Sequence, residues 1–180
     1  MEKYWKHFKT IFKHKLIVMI TCFRAGIIWR GLLHDNSKFG PTEFFTSAKY
    51  FQGTSSPIDA EKKEKGYSYA WQHHKGKNPH HWEYWIDNVG TYDNTPVKIP
   101  YTYVVEMICD WIGAGKTYTG TAWNNKQPIE YYEKCRPTRI FHPETEKLIL
   151  LFLRGIASSG LEDFYKQARC KELKRVYENS

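Results

Sequence analysis

Apolar residues recur at helical spacing along most of the chain. The first such stripe consists of His14, Val18, Thr21, Ala25 and Ile28. Because residues three and four positions apart lie on the same side of an α-helix, this spacing predicts a long helix over residues 4–29, bent near Gly26. The stripe marks the side of this helix that we expect to be buried, and it includes one histidine.

The rest of the chain is predicted to form further helices separated by short breaks. Gly40-Pro41 and Pro143 are start signals, since proline is favoured in the first turn of a helix. Asn78-Pro79 predicts another start, which would place His80 and His81 in a first turn. The predicted helices cover residues 32–38, 41–50, 59–75, 80–87, 100–112, 143–156 and the segment from 161 onward. Residues 52–57 and 113–125 are predicted loops, and residues 88–99 are turn-rich with room for a small hairpin. Strand signals are weak elsewhere, so the pattern predicts an all-α, single-domain bundle over residues 1–180.

One apolar stretch, residues 16–33, approaches the length of a membrane span. Arg24 lies near its middle and Arg30 near its end. An arginine at the centre of a span costs roughly 2.5–3.5 kcal/mol on insertion scales. We therefore predict a buried helix of a soluble protein and no membrane partner.

Charge and cysteine content narrow the class of protein further. Lysine and arginine outnumber aspartate and glutamate by 27 to 19, and the net charge of +8 favours anionic partners such as phosphorylated small molecules or nucleic acid. The four cysteines form no CxxC pair, and no signal peptide is recognisable at the N-terminus. These observations predict reduced thiols in a cytoplasmic protein.

Asp110 lies in a predicted helix that is apolar on nearly every side. A carboxylate buried there must be paired, hydrogen-bonded or bound to a metal, because leaving it bare costs several kcal/mol. Taken alone, Asp110 is better explained by an ion pair with Arg24 or Arg30 than by a metal.

Two other segments supply residues that could bind a metal together with Asp110. His14 lies on the apolar stripe of the first helix, and His34-Asp35 follows the apolar run that ends at Leu33. A single buried histidine is more often a hydrogen-bonded residue of the core than a metal ligand. Two imidazoles and two carboxylates from three helices, however, suit a divalent transition metal and leave positions for water and substrate. Together the residues predict a metal site built from His14, His34, Asp35 and Asp110.

The order of these ligands resembles the HD-domain superfamily of metal-dependent phosphohydrolases. In that order a histidine comes first, an adjacent His-Asp pair second, and a distant aspartate on a helix last. The resemblance implies a helical bundle with the metal between helices. Lys38 extends the pair to His-Asp-x-x-Lys, which resembles phosphodiesterase-type members whose lysine faces the substrate phosphate. More closely, the chain is similar to an uncharacterised family of bacteria and their phages, which brings no known substrate. That similarity rests on GLLHDNSKF at residues 31–39, HHKGKNPHHWEYW at residues 73–85 and DWIGAG at residues 110–115.

Four of the eight histidines fall within nine positions, namely His73, His74, His80 and His81. HD members with two metals place additional histidines in this part of the order, so the resemblance implies ligands for a second ion. The positive end of a helix dipole disfavours imidazolium and would keep His80 and His81 available as ligands. We expect His74 and His80 to bind metal, with His81 next and His73 structural. A surface patch of histidines is the alternative.

These features predict a metal-dependent phosphohydrolase acting on a nucleotide or another small phosphoester. One or two divalent ions, chosen from Mn, Fe, Zn, Co and Ni, would serve as cofactors, and Asp35 would accept the proton of the attacking water. Lys38 would stabilise charge on the phosphate and bind substrate together with Lys116 and Arg139. Two alternatives stay open: a di-iron oxygenase on the same scaffold, and a non-catalytic module that binds a nucleotide. The sequence leaves the oligomeric state open and does not favour nucleic acid as the partner.

Overall fold

Ten α-helices and one small hairpin make up the part of the chain that the computed structural model describes, residues 1–89 and 93–180. The helices are α1 (Glu2–Arg24), α2 (Ile28–Leu33), α3 (Pro41–Tyr50), α4 (Pro57–Lys65), α5 (Tyr69–Lys77), α6 (Tyr101–Thr119), α7 (Gln127–Cys135), α8 (Pro143–Ser159), α9 (Leu161–Ala168) and α10 (Lys171–Asn179). Short 3-10 helices cover Asn36–Phe39, Trp82–Trp85, Gly120–Ala122 and Arg136–Thr138. The prediction of an all-α chain is confirmed.

The hydrophobic core is built around α6. This helix packs against α1, α7 and α8, and its apolar residues are buried on several sides, including Val105, Ile108 and Ile112. Phe152 of α8 and Phe164 of α9 close the core on one side, with their rings 5.3 Å apart at an interplanar angle of 82°. A helix that is apolar all round must be covered by neighbours, which is why α6 occupies the centre.

A glycine sets how closely α1 approaches α6. A Cβ atom built on Gly113 would lie 2.3 Å from Cγ2 of the buried Val18. Such a contact is impossible, so the two helices meet at this distance only because residue 113 has no side chain. His14 lies one turn before Val18, and Asp110 lies about one turn before Gly113. The close approach of α1 and α6 at Val18 and Gly113 therefore brings the segment that carries His14 close to the segment that carries Asp110.

The prediction of one helix over residues 4–29 is wrong at its C-terminal end. Helix α1 ends at Arg24, and Gly26 takes a left-handed φ of +81°, which redirects the chain into α2. The predicted helix over residues 59–75 is likewise two helices. Gly66, at a φ of +82°, ends α4, and the Ser68 hydroxyl accepts a hydrogen bond from the Trp71 backbone N–H to begin α5.

Three further predictions of helix boundaries are also wrong. The segment from residue 161 onward is not one helix, because α9 ends at Ala168 and α10 begins at Lys171. The segment 113–125 is not a loop from its start, because α6 continues through Gly113 to Thr119. Asn78-Pro79 ends a helix instead of beginning one, since the Asn78 side-chain amide donates to the His74 carbonyl at the end of α5. A 3-10 helix and strand β1 (Ile86–Val89) follow, in place of the predicted helix over residues 80–87.

The hairpin predicted within residues 88–99 is present, although it starts earlier in the chain. Strand β1 pairs antiparallel with β2 (Asp93–Pro96), in a register that places Ile86 opposite Pro96. Residues 90–92 lie outside the described part of the chain.

All four cysteines are free thiols, as predicted, and Cys22 and Cys109 are buried. Among the described helices, none has the length and apolar character needed to cross a membrane.

Substituting Gly113→Ala should force α1 away from α6. Overpacking of this kind costs about 1–3 kcal/mol, and we expect that loss in the free energy of unfolding measured by urea denaturation. Gly76→Ala is the matched control, because a Cβ at this exposed helical position meets no atom within 4 Å. The control should be neutral or stabilising by up to about 1 kcal/mol, because alanine favours helix over glycine. Equal stability of the two variants would contradict the close-packing role of Gly113.

Candidate metal centre

Asp35 lies at a sharp break between α2 and the following 3-10 helix. His34 is the C-cap residue of α2, and Asp35 has a left-handed φ of +54°. The predicted continuous helix over residues 32–38 is therefore wrong. This conformation costs a non-glycine residue roughly 1–2 kcal/mol. The Lys15 ammonium stabilises the break by donating to the carbonyls of Leu32 at 3.0 Å and His34 at 2.7 Å. The break allows two consecutive side chains to point into the same buried cluster.

One oxygen of Asp35 faces the four-residue set predicted from the sequence. Asp35 Oδ2 lies 3.3 Å from His34 Nε2 and 3.7 Å from His14 Nε2. Asp110 Oδ1 lies 3.0 Å from His14 Nε2 and 3.4 Å from His34 Nε2. One ligand atom from each of the four residues lies within 4.8 Å of the others. The structure thus brings together His14, His34, Asp35 and Asp110.

The other oxygen of Asp35 faces the histidines of the second predicted cluster. Asp35 Oδ1 lies 3.3 Å from His74 Nε2 and 3.4 Å from His80 Nε2. His81 completes this group, with one ligand atom from each residue again within 4.8 Å of the rest. Because each carboxylate oxygen faces a different set, Asp35 is shared by two adjoining clusters.

Two buried glutamates that the sequence analysis missed lie against the far nitrogens of three of these imidazoles, those of His34, His74 and His80. Glu106 Oε1 lies 3.0 Å from His34 Nδ1 and 3.3 Å from His80 Nδ1, and its other oxygen accepts from Arg30 at 2.6 Å. Glu43 Oε2 lies 2.7 Å from His74 Nδ1. Metal-binding histidines in general donate their second ring N–H to such a group, which fixes the ring orientation.

His73 occupies a different position from its neighbour His74. Its Nδ1 lies 2.6 Å from Glu43 Oε1, while His74 Nδ1 lies against Glu43 Oε2. His73 is therefore held by the outer carboxylate and belongs to none of the three groups of candidate metal ligands in the described chain, the third of which is His34, His80 and Glu106. A sequence signal for Glu106 was available, because it lies one helical turn before Asp110 in the same apolar helix. Glu43 carried no comparable signal.

The inward-facing atoms of the cluster are buried without satisfied hydrogen bonds. Within the described residues, His14, His34, His74, His80 and His81 each bury an Nε2 atom that has no hydrogen-bond partner. Both carboxylate oxygens of Asp35 are also buried without a hydrogen-bond partner, although Oδ2 forms an ion pair with the Lys38 ammonium at 2.5 Å. Each unsatisfied buried group costs about 1–3 kcal/mol. Nitrogen and carboxylate donors that converge in this way fit divalent transition-metal ions.

Burial and neighbouring charges set the protonation of the cluster. Burial raises the pKa of Asp110, but the imidazoles of His14 and His34 beside its carboxylate outweigh burial and hold that pKa well below its usual value. Burial lowers the pKa of His81, and the adjacent His80 lowers it further. Burial is also the largest cause of the lowered pKa of His80. These two rings are therefore neutral because they are buried, and the predicted helix dipole plays no part, since neither residue lies in a helix.

A cavity of about 830 Å³ opens above the cluster. His14, His74, His80, His81 and Asp110 reach it, as do the cationic residues Lys38, Lys62 and Arg139. The Arg139 guanidinium is 4.9 Å from the ring centres of both Trp111 and Tyr131, and it donates to the Tyr131 hydroxyl at 2.7 Å.

Lys116, the third predicted substrate-binding residue, does not line this cavity. Its ammonium instead lies 4.6 Å from the centre of the Trp123 ring. The ion pairs considered for Asp110 are also absent from the described chain, because Arg30 pairs with Glu106 and Arg24 pairs with Glu162. The partners that Asp110 has are His14 and His34.

Comparison with known proteins identifies a family but no function. The model of DUF5662, a family of unknown function, matches residues 3–154, a range that contains every residue of the two clusters. No curated protein and no solved structure matches the chain. Because the family model covers most of its length, the chain belongs to the family of unknown function DUF5662.

Proposed function

We propose that this protein is a metal-dependent phosphohydrolase that acts on a nucleotide or another small phosphoester. The observation that carries the proposal is the shared Asp35 carboxylate, whose two oxygens face two sets of buried candidate ligands below a cavity that the cations Lys38, Lys62 and Arg139 reach. The order of the candidate ligands along the chain also resembles the order found in HD-domain phosphohydrolases. This resemblance is the basis for choosing phosphoester hydrolysis as the reaction.

The residues that would hold the ions divide into two groups. His14, His34 and Asp110 would hold one ion, His74, His80 and His81 would hold the other, and Asp35 would bridge them. When bound, such ions lower the pKa of water and polarise a phosphoryl oxygen. The charge of the cluster supports this assignment: with the imidazoles neutral, as metal binding requires, the carboxylates of Asp35, Asp110, Glu43 and Glu106 outnumber the cations Lys38 and Arg30 that contact them.

Lys38 is the residue that would act on the phosphate. Burial lowers the pKa of its ammonium, but the carboxylates of Asp35 and Asp110 outweigh burial and raise that pKa, so the group carries a fixed positive charge. It reaches the cavity directly beside Asp35. A fixed cation there would stabilise the negative charge that develops on a phosphoryl group during transfer.

Of the two roles predicted for Asp35, that of ligand has the stronger support. Burial raises the pKa of Asp35, but the charges of His34 and Lys38 outweigh it and hold the pKa well below its usual value. Each oxygen of Asp35 faces a different set of candidate ligands, which supports the role of ligand directly, and its role as proton acceptor stays a prediction.

The walls of the cavity favour a substrate with an aromatic part. Trp71, Trp111 and Tyr131 line it, and Arg139 stacks on two of these rings. Aromatic faces and guanidinium planes stack on nucleobases, while the cations Lys38, Lys62 and Arg139 would attract phosphate. This combination supports a nucleotide more strongly than a small aliphatic phosphoester.

A screen of the purified protein against nucleotides and small phosphoesters tests the reaction class directly. We expect phosphate release or diester cleavage in the presence of Mn, Zn, Co, Ni or Fe and its loss with a chelator. Substrate-independent binding of ions, with no turnover on any phosphoester, would contradict the proposal. A coloured, iron-loaded protein that consumes oxygen would replace it with an oxygenase.

Metal stoichiometry tests the sharing of Asp35. Elemental analysis after dialysis should give about two ions per wild-type chain and about one in His14→Ala and in His74→Ala, because each variant removes a ligand from one set. Asp35→Asn should lose both ions, since it weakens both sets. His73→Ala is the matched control for His74→Ala and should keep both ions, because His73 hydrogen-bonds Glu43 and belongs to no group of candidate ligands among the described residues. A stoichiometry of one in the wild type, unchanged in His74→Ala, would reduce the site to a single ion.

The role of Lys38 is tested by Lys38→Met with Lys116→Met as its control. Removing a preorganised charge-stabilising donor lowers kcat by roughly 10²–10³-fold, and we expect a loss of that order for Lys38→Met with metal content retained. Lys116→Met should keep wild-type turnover, because its ammonium lies against Trp123 and outside the cavity. An equal loss in both variants, or loss of metal in Lys38→Met, would remove Lys38 from the phosphate-binding role.

A further inference from the structure

Glu83 is a charged residue of the cavity lining that the proposed chemistry does not use. It lies in the 3-10 helix Trp82–Trp85, two residues beyond His81, yet it belongs to none of the groups of candidate metal ligands among the described residues. Its Oε2 atom is buried and has no hydrogen-bond partner in that part of the chain. A buried polar atom without a partner costs stability, and in the lining of a cavity it indicates that a ligand supplies the missing donor.

Arg139 lines the same cavity and lacks the complementary partner. Its Nη2 atom donates to the Tyr131 hydroxyl at 2.7 Å, and the guanidinium lies 4.9 Å from the ring centres of Tyr131 and Trp111. Its Nη1 atom is buried and has no hydrogen-bond partner among the described residues. The two rings and the hydroxyl therefore fix the guanidinium in place and leave one nitrogen available to donate.

A ring contact joins the segment that carries Glu83 to the segment that carries Arg139. Trp82 precedes Glu83 in the chain and packs against Phe141, two residues beyond Arg139, with the ring centroids 6.1 Å apart. The two charged groups do not satisfy each other, because each keeps its unpartnered atom. An acceptor and a donor thus lie in the lining of one cavity of about 830 Å³, a volume in the range of small-molecule sites.

We propose that Glu83 and Arg139 bind the edge of a nucleobase that carries an exocyclic amino group, namely adenine, cytosine or guanine. An ionised carboxylate only accepts hydrogen bonds and a guanidinium only donates them, so the ligand must offer a donor beside an acceptor. In each of these three bases the amino group lies next to a ring nitrogen that accepts. The inference rests on the proposed function, from which it takes a nucleotide as the ligand.

The pair selects a base by what the wrong base leaves unsatisfied. Hypoxanthine in place of adenine, or uracil in place of cytosine, would place a carbonyl oxygen against the Glu83 carboxylate. A site built to pair with a donor rejects an analogue that lacks it, because its buried groups are then left without partners. With Arg139 engaged by the base, Lys38 and Lys62 are the cations of the cavity that remain for the phosphate.

Matched nucleotide pairs test the inference on the protein as purified, with affinity measured by isothermal titration calorimetry. The pairs are AMP with IMP, CMP with UMP, and GMP with IMP. At least one amino-bearing nucleotide should bind about 10–100-fold more tightly than its amino-free counterpart, the range expected for a hydrogen bond to a charged group. A ratio near one in all three pairs overturns the inference, and so does tighter binding of the amino-free members.

Glu83→Gln tests whether the carboxylate is responsible for the preference. It keeps the size of the side chain but adds an amide N–H that donates to a carbonyl, so the ratio should fall to about one or reverse while metal content is retained. Asp59→Asn is the matched control and should keep the wild-type ratio, because Asp59 is an exposed carboxylate in the lining of the same cavity. If far-UV circular dichroism shows that Glu83→Gln does not fold, Glu83→Asp replaces it, since it withdraws the carboxylate by one methylene and should also lower the ratio.

Phosphate release is measured separately, so the failure of each proposal can be recognised. Turnover of nucleotides without preference in any pair overturns the inference and leaves the hydrolase standing. Binding with the expected preference but without turnover contradicts the hydrolase and supports the inference. A ratio that persists in the folded Glu83 variant, or that disappears in Asp59→Asn, overturns the role of Glu83. Activity confined to phosphoesters that carry no base overturns the inference as a whole.

Discussion

The buried carboxylate of Asp35 is the interaction on which the rest of the structure depends. A bare carboxylate inside a protein costs several kcal/mol, so its position demands positive charge or nitrogen donors on every side. The chain supplies them from α1, the C-cap of α2, α5 and the turn that follows α5. Each of these segments places one imidazole against Asp35, and the close packing of α1 against α6 holds this end of the bundle together.

Much of the fold and part of the site could be predicted from the sequence. Helical periodicity and proline start signals identified α3 and the start of α8 correctly, and Asp110 with its apolar neighbours indicated the central helix. The candidate ligands His14, His34 and Asp35 could be named because buried polar residues are rare and therefore conspicuous in an apolar pattern. Their proximity to one another could not be derived from spacing, since it depends on how three separate helices pack.

The wrong helix boundaries and the missed glutamate have physical reasons, because tertiary contacts decided them and the neighbouring sequence did not. Gly113 and Gly115 look like helix breakers, yet α6 continues through them because a neighbour needs the space that a side chain would fill. Asn78-Pro79 is chemically suited to either end of a helix, and the bond from the Asn78 amide to the His74 carbonyl decided for the end of α5. Glu43 has no local signal, because its role exists only once His73 and His74 have been brought beside it by tertiary packing.

The ion pair between Lys38 and Asp35 has a consequence for how the protein is made. Small zinc domains fold only when their metal arrives, because nothing else organises their ligands. Here the ammonium of Lys38 already balances the carboxylate, and Glu106 and Glu43 already orient His34, His80 and His74 through their outer nitrogens. These contacts arrange the cluster without an ion, so on the proposed function the chain would reach its native fold first and acquire ions afterwards. Its stability before that step would be set by the packing of the bundle.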